Sequence, residues 1–285
     1  MKIAIVSPGP IRSFSKVYQS WVDNLIKPLE DQVGQGNVKI FIEYFTVDKN
    51  HMENLKKMEF HTKAELDEPG WSEILEKSPY IEYQGRYHYD DNYIINIIDN
   101  INEFNNCNYS LSNMKKYDAK LQFKDEKMWK KKKRMFYNLI HAVCMNYNNK
   151  KIIDKVPNDY DYIIKIRSDA HLLKPYKLDL KNLYNNKNVY FQIASDQLQK
   201  SRITFGIRWD TFFMGSNKAL KKMYHDYYKK CNLLFVRYMN RNLIRRPEYF
   251  IDLLLKESKL NKKTYEYYYH SDWEVITSSY KLGYG

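Results

Sequence analysis

Apolar residues in this chain fall into short unbroken blocks and longer stretches at helical spacing, and the two kinds take turns. "KIAIV" at 2–6 is an aliphatic block closed by Ser7-Pro8-Gly9-Pro10, the pattern of a buried strand running into a loop. Trp21, Val22, Leu25, Ile26 and Leu29 then recur at intervals of three and four, which predicts a helix with one face turned inward. "NVKIFIEYF" at 37–45 alternates as a second strand. Strand, loop, helix and strand in this order give the fold class α/β, and 285 residues can bury a core as one large domain or as two small ones.

Residues 50–127 are polar, rich in Asn and Tyr, and carry the turn segments "DEPGW" and "KSPY"; they are expected to form short helices and loops, an insertion lying over a site. A helix is predicted over 128–147, where Trp129, Phe136, Leu139, Ile140, Val143 and Tyr147 share a face. "YDYIIKIRSDAHLL" at 160–173 is the most apolar strand, followed by strands in "NVYFQIA" (188–194) and "GIRWDTFFMGS" (206–216). From 217 a helix turns Leu220, Met223, Tyr224 and Tyr227 inward, and "RRPEYFIDLLLKES" (245–258) is a helix with Pro247 in its first turn. The end, "TYEYYYHSDWEVI", reads as a tyrosine-rich strand and a loop.

Composition narrows the function classes. With 285 residues, 44% hydrophobic and 28% charged, the chain is globular rather than disordered. Its 47 basic against 34 acidic residues, a formal +13, favour an anionic partner: a sugar nucleotide, a nucleic acid or an anionic membrane surface met peripherally. Cys107, Cys144 and Cys231 show no CxxC spacing, which argues against structural zinc and for a reducing compartment. The first apolar run is too short for a signal peptide and no run reaches the roughly 20 residues of a membrane span, so a cytoplasmic protein is expected. The "KKKKR" run at 130–134 reads either as a solvated helix face or as a contact for an anionic partner.

Chemistry concentrates at the end of the 160–173 strand. Alternation puts Arg167 and Asp169 on one face, and in open α/β sheets ligands sit outside the carboxyl ends of the strands. A diphosphate bound with a divalent cation needs this pairing: carboxylate oxygen for the cation, cationic donors for phosphate. An Arg–Asp salt bridge closing a strand end is the other reading of the same two residues.

"KIAIVSPGPIRSF", "YDYIIKIRSDAHL" and "RWDTFFMGSNKAL" together, in this order over about residues 1–220, resemble successive signatures of GT-A-type glycosyltransferases, in particular the WavE-like lipopolysaccharide-core family and sugar transferases of large DNA viruses. The resemblance implies a single GT-A-like (Rossmann-like) domain with a mixed central sheet flanked by helices and a helical insertion, divided into a nucleotide-sugar-binding half over 1–170 and an acceptor-binding half over 171–285. It implies a nucleotide-diphosphate sugar as donor, a glycan or glycolipid as acceptor, and a divalent cation, Mn²⁺ or Mg²⁺. Carried over by position, Pro8, Gly9, Pro10 and Arg12 lie against the nucleotide together with Arg167, and Asp169 stands for the last carboxylate of the family's DxD element. Arg167 occupies the place of the first aspartate, a departure that leaves one protein carboxylate for the metal.

Three further residues are candidates. Asp210 lies between Trp209 and Phe212-Phe213, where a carboxylate is costly without a role or partner. Glu248 suits the positive end of a helix dipole, and the resemblance makes it a candidate catalytic base. His270, before Ser271-Asp272-Trp273, resembles the carboxyl-terminal histidine that some GT-A enzymes use as a metal or phosphate ligand. The expected activity is therefore transfer of a sugar from a nucleotide-diphosphate sugar to an acceptor hydroxyl. The competing class, supported by the +13 charge and the lysine run, is a basic nucleic-acid-binding protein or metal-dependent nuclease.

Overall fold

The computed structural model describes residues 1–9, 14–46, 71–88, 91–110, 126–176, 178–180, 185–192, 212–241, 248–265 and 273–275. Strand β1 (Ile3–Gly9) leads to helix α1 (Phe14–Trp21), which continues through a π-helical stretch (Val22–Ile26) into α2 (Lys27–Val33). There follow β2 (Val38–Thr46), α3 (Trp71–Lys77), β3 (Ile81–His88), α4 (Asp91–Asn105) and the long α5 (Glu126–Lys155). The remaining elements are β4 (Tyr162–Ile166), β5 (Ala170–Leu172), β6 (Asn188–Gln192), β7 (Phe212–Ser216), α6 (Asn217–Tyr224), α7 (Tyr227–Arg241), α8 (Glu248–Glu257), β8 (Asn261–Tyr265) and β9 (Trp273–Val275).

Seven strands form one sheet in the order β3-β2-β1-β4-β7-β6-β8, while β5 and β9 pair separately. The strands β3, β2, β1 and β4 run parallel, β7 runs against both β4 and β6, and β8 is parallel to β6, so β7 alone opposes the rest. This is the mixed α/β sheet expected, and it takes strands from both halves of the chain.

Each face of the sheet has its own core. On one, Ile3, Ile5, Ile40, Ile42, Ile164 and Ile166 pack against Trp21, Leu25, Ile26 and Leu29 of the α1–α2 helix. On the other, Ala4, Val6, Phe41, Ile163 and Phe213 meet α4 to α8 through residues such as Ile97, Val143, Leu220, Tyr227 and Leu254. Burial of each large aliphatic contributes about 1.5–3 kcal/mol. Layering on both faces explains why β1 and β4 are apolar on both sides rather than alternating.

Three expectations change. The segment expected as an insertion holds, in its described part, α3, α4 and an edge strand of the main sheet, β3. That strand alternates half-buried Ile81, Tyr83, Gly85 and Tyr87 with exposed Glu82, Gln84, Arg86 and His88, a period of two without the usual aliphatics. The single strand expected through 160–173 ends at Ile166, turns, and resumes as β5, with the Ala170 N–H donating to the Arg167 carbonyl at 3.1 Å. The helix expected from 217 breaks after Tyr224, and Asp226 takes φ +54°.

Local chemistry fixes the joints near the sheet. Ser216 caps α6, its hydroxyl accepting from the Ala219 N–H at 3.1 Å. Asn217 donates through Nδ2 to the carbonyls of Pro157 and Tyr160 at 2.8 and 2.9 Å, tying the start of α6 to the segment before β4. Among the described residues no helix is long and apolar enough to cross a membrane.

Candidate functional site

Strand β1 lies between β2 on one side and β4 on the other. Its pairing with β2 runs on to Pro8↔Glu43 and Gly9↔Tyr44, whereas its pairing with β4 stops at Val6↔Lys165. Beyond Val6 the two central strands therefore part. The chain proceeds from β1 outward to β2 and β3 but later returns to β4 on β1's other side, so this parting is the point where strand order reverses, the place where open α/β sheets hold their ligands.

Four of the residues singled out from the sequence end at this crevice. Pro8 and Gly9 close β1, and Arg167 and Asp169 form the turn that leaves β4. Gly9 has φ +116°, a conformation that side chains with a Cβ rarely adopt, and the space a Cβ would take is open. Its glycine is needed for backbone shape, not for crowding.

Arg167 and Asp169 bind one another edge to edge. The guanidinium donates from Nε to Oδ1 at 2.9 Å and from Nη2 to Oδ2 at 2.7 Å, the bidentate fork that suits a carboxylate. The aspartate side chain is 0% exposed and the arginine 24%, so what the pair presents outward is a cation. The turn between them, not strand alternation, brings them together.

The backbone after Asp169 is anchored from outside by the first helix. Trp21, wholly buried, donates its indole N–H to the Ala170 carbonyl at 2.7 Å. The Leu172 N–H donates to Ser20 Oγ at 3.1 Å, and Asn24 Nδ2 donates to the Leu172 carbonyl at 2.7 Å. In the π-helical stretch the Lys27 N–H reaches back to the Val22 carbonyl, and the Asn24 carbonyl accepts from the Tyr176 N–H at 2.6 Å.

Some polar groups here escaped the reading of the sequence. Ser7 is 2% exposed at the end of β1, and its Oγ has no hydrogen-bond partner among the described residues. On β2, Glu43 is 3% exposed; one carboxylate oxygen pairs with Lys151 of α5, and Oε2 has no partner among the described residues. Lys165 is also buried, with Nζ 5.8 Å from the centre of the Phe213 ring. A buried polar residue costs free energy unless it is paired, so Ser7 and Glu43 mark the carboxyl ends of β1 and β2 as polar. The sequence signal was present only as Ser7 before Pro8 and a lone Glu43 within an apolar strand.

The other candidates stand as follows. Pro10, Arg12, Asp210 and His270 lie outside the described residues. The strand after Asp210 enters the sheet from the site end, since Phe212 pairs with Ile166. Glu248 is the first residue of α8, which returns through a short turn into β8; because β8 runs parallel with β4, the amino end of α8 points toward the crevice end of the sheet. Strand β9 places Val275 opposite Ala170 and Trp273 opposite Leu172, so its Val275 end is the one nearer Asp169.

The described residues fit a divalent cation at Asp169 poorly. Both carboxylate oxygens already accept from the guanidinium. Among the described residues no three His, Cys, Asp or Glu side chains converge as ligands.

No family model matches this chain, and a search of curated proteins likewise gives no match.

Proposed function

We propose that the protein is a GT-A-like glycosyltransferase that moves a sugar from a nucleotide-diphosphate sugar to a hydroxyl of a glycan or glycolipid. The observation that carries this reading is the crevice where β1 and β4 part, edged by a positive-φ glycine on one strand and an outward-facing guanidinium on the other. A diphosphate suits both sides: close backbone approach at one and a charged planar donor at the other. The three segments that carry the family resemblance also become neighbours, since they contain β1, β4 and β7, adjacent in the sheet.

In the proposed step the acceptor oxygen forms a bond to the anomeric carbon, and the bond from that carbon to the phosphate oxygen breaks with its electron pair leaving on the diphosphate. The acceptor proton passes to a carboxylate, Glu248 in this reading, with Asp210 positioning the acceptor or the donor sugar. Arg167 neutralises charge that builds on the leaving diphosphate. Asp169 holds that guanidinium in place.

A thermal-shift screen against uridine, guanosine, cytidine and thymidine diphosphate sugars tests the reading. A ligand present at about 100 times its dissociation constant adds roughly 2.7 kcal/mol of stability. At least one of the set should raise the melting temperature. If none does, and the chain instead binds duplex DNA tightly and in a salt-sensitive way, the basic nucleic-acid reading replaces this one.

A further inference from the structure

We propose that the diphosphate at this site is neutralised by the guanidinium of Arg167 rather than by a divalent cation, so that nucleotide binding does not depend on metal. The inference rests on the reading of the crevice as a nucleotide-diphosphate sugar site, and it specifies how that site handles charge.

The burial of the pair decides the sign of the charge a ligand meets. A hard cation needs carboxylate oxygen within reach of solvent and of the ligand's own oxygens. Asp169 is 0% exposed, and its two oxygens accept from Nε and Nη2 of Arg167 at 2.9 and 2.7 Å. To reach that carboxylate a metal ion must displace two charge-assisted hydrogen bonds and lodge beside a like charge. The guanidinium is the part of the pair that keeps exposure, 24% against 0% for the carboxylate, and so is the part a diphosphate can meet.

The fixed backbone argues in the same direction. Ala170 and Leu172, directly after Asp169, are tied to Trp21, Ser20 and Asn24 of the first helix, and the Ala170 N–H closes the turn onto Arg167. A carboxylate on this anchored turn has little freedom to swing outward and act as a ligand. Instead it orients a planar donor group that stays charged at every accessible pH and matches phosphate oxygens two at a time. Arg167 gives up no proton and no electrons in the transfer; its contribution is electrostatic.

Calorimetric titration of the full chain with uridine, guanosine and cytidine diphosphates, in chelator and in Mn²⁺, tests the proposal. The best-binding nucleotide should show a dissociation constant in chelator within about threefold of that in Mn²⁺, a difference under about 0.7 kcal/mol. Arg167→Lys, which keeps the charge but loses the fork, should weaken binding roughly tenfold or more. Binding seen only with Mn²⁺ overturns the proposal and leaves the nucleotide site standing. Metal-independent binding that Arg167→Lys leaves unchanged also overturns it, since the guanidinium is then not the contact. No binding of any nucleoside diphosphate in either condition removes the site reading and the proposal with it. Should Arg167→Lys fail to fold, the wild-type comparison in chelator and Mn²⁺ still decides.

Discussion

Arg167 and Asp169 are joined edge to edge: Nε and Nη2 each donate to one carboxylate oxygen, at 2.9 and 2.7 Å, and the aspartate has no solvent exposure while the arginine keeps 24%. This asymmetry predicts unequal effects of breaking the pair. Arg167→Met leaves a buried carboxylate without its guanidinium and should cost about 3–5 kcal/mol, whereas Asp169→Asn leaves a cation that can reach water and should cost less. The double variant should be more stable than the sum of the two single losses allows, by about 1–3 kcal/mol, as urea denaturation of all four proteins would show. Additivity would mean the pair is not coupled in solution.

Gly9 is expected to tolerate no side chain. Its φ of +116° is strained for any residue with a Cβ even though the space beside it is open. Gly9→Ala should lower stability by about 1–3 kcal/mol and raise the Michaelis constant for the donor, because the carboxyl end of β1 must rearrange. An alanine variant with unchanged urea midpoint and unchanged donor constant would contradict this.

Lys230 is a second buried cation with a clear duty. Its Nζ donates to the carbonyls of Met223 and His225 at 3.1 and 2.5 Å and to Ser258 Oγ at 2.7 Å, closing the carboxyl end of α6 onto the turn after α8. Lys230→Met leaves these acceptors without their donor and should destabilise by about 1–3 kcal/mol. The loss should appear in the urea midpoint with no change in nucleotide affinity, since α6 ends at the far end of the sheet from the crevice.

Alkaline pH should unfold the protein through its tyrosines. Burial raises the hydroxyl pKa of Tyr93, Tyr160, Tyr224, Tyr227 and Tyr228, and pushes that of Tyr109 up to about 12. Above pH 10 the unfolded chain releases protons that the folded chain retains, so stability falls as pH rises. Burial lowers the pKa of Lys221, Lys230 and Lys262, which has the opposite sign, but that gain is complete once pH passes the ordinary lysine value of 10.5. Urea midpoints should therefore decline from about pH 10.5 upward, with the tyrosinate absorbance rising together with unfolding. Smooth tyrosine titration at the free value with the fold intact would contradict it.

Much of this architecture could be read from residue patterns, and the failures share a cause. Aliphatic blocks located β1, β2 and β4, and helical spacing located the inner face of α1–α2, where Trp21, Leu25, Ile26 and Leu29 are all buried. Strand β3 was missed because its inward positions are Tyr, Gly and a single Ile, which carry the period of two without the hydrophobicity that normally announces it. The turn at 167–169 was hidden since a polar run after an apolar strand reads equally as strand end or strand continuation. At the candidate site, Pro8, Gly9, Arg167 and Asp169 could be picked out by type and position. Ser7 and Glu43 could not, because burial is a property of neighbours that one sequence does not display.

Glu248 is expected to matter for turnover more than for binding. It opens α8, whose amino end points toward the crevice end of the sheet. Glu248→Gln should lower turnover by about 10²–10⁴ while donor affinity stays near wild type. If Glu248→Gln keeps most of its turnover and Asp210→Asn is inactive, the two roles are exchanged.

Hydrogen exchange read by mass spectrometry, with and without the best sugar nucleotide from the thermal screen, tests the central claim most directly. Binding in the crevice where β1 and β4 part should slow exchange in peptides spanning 3–9 and 160–172, and should leave the far edge at β8 unchanged. Protection confined to other segments, with both of these stretches exchanging as in the free protein, would contradict the account.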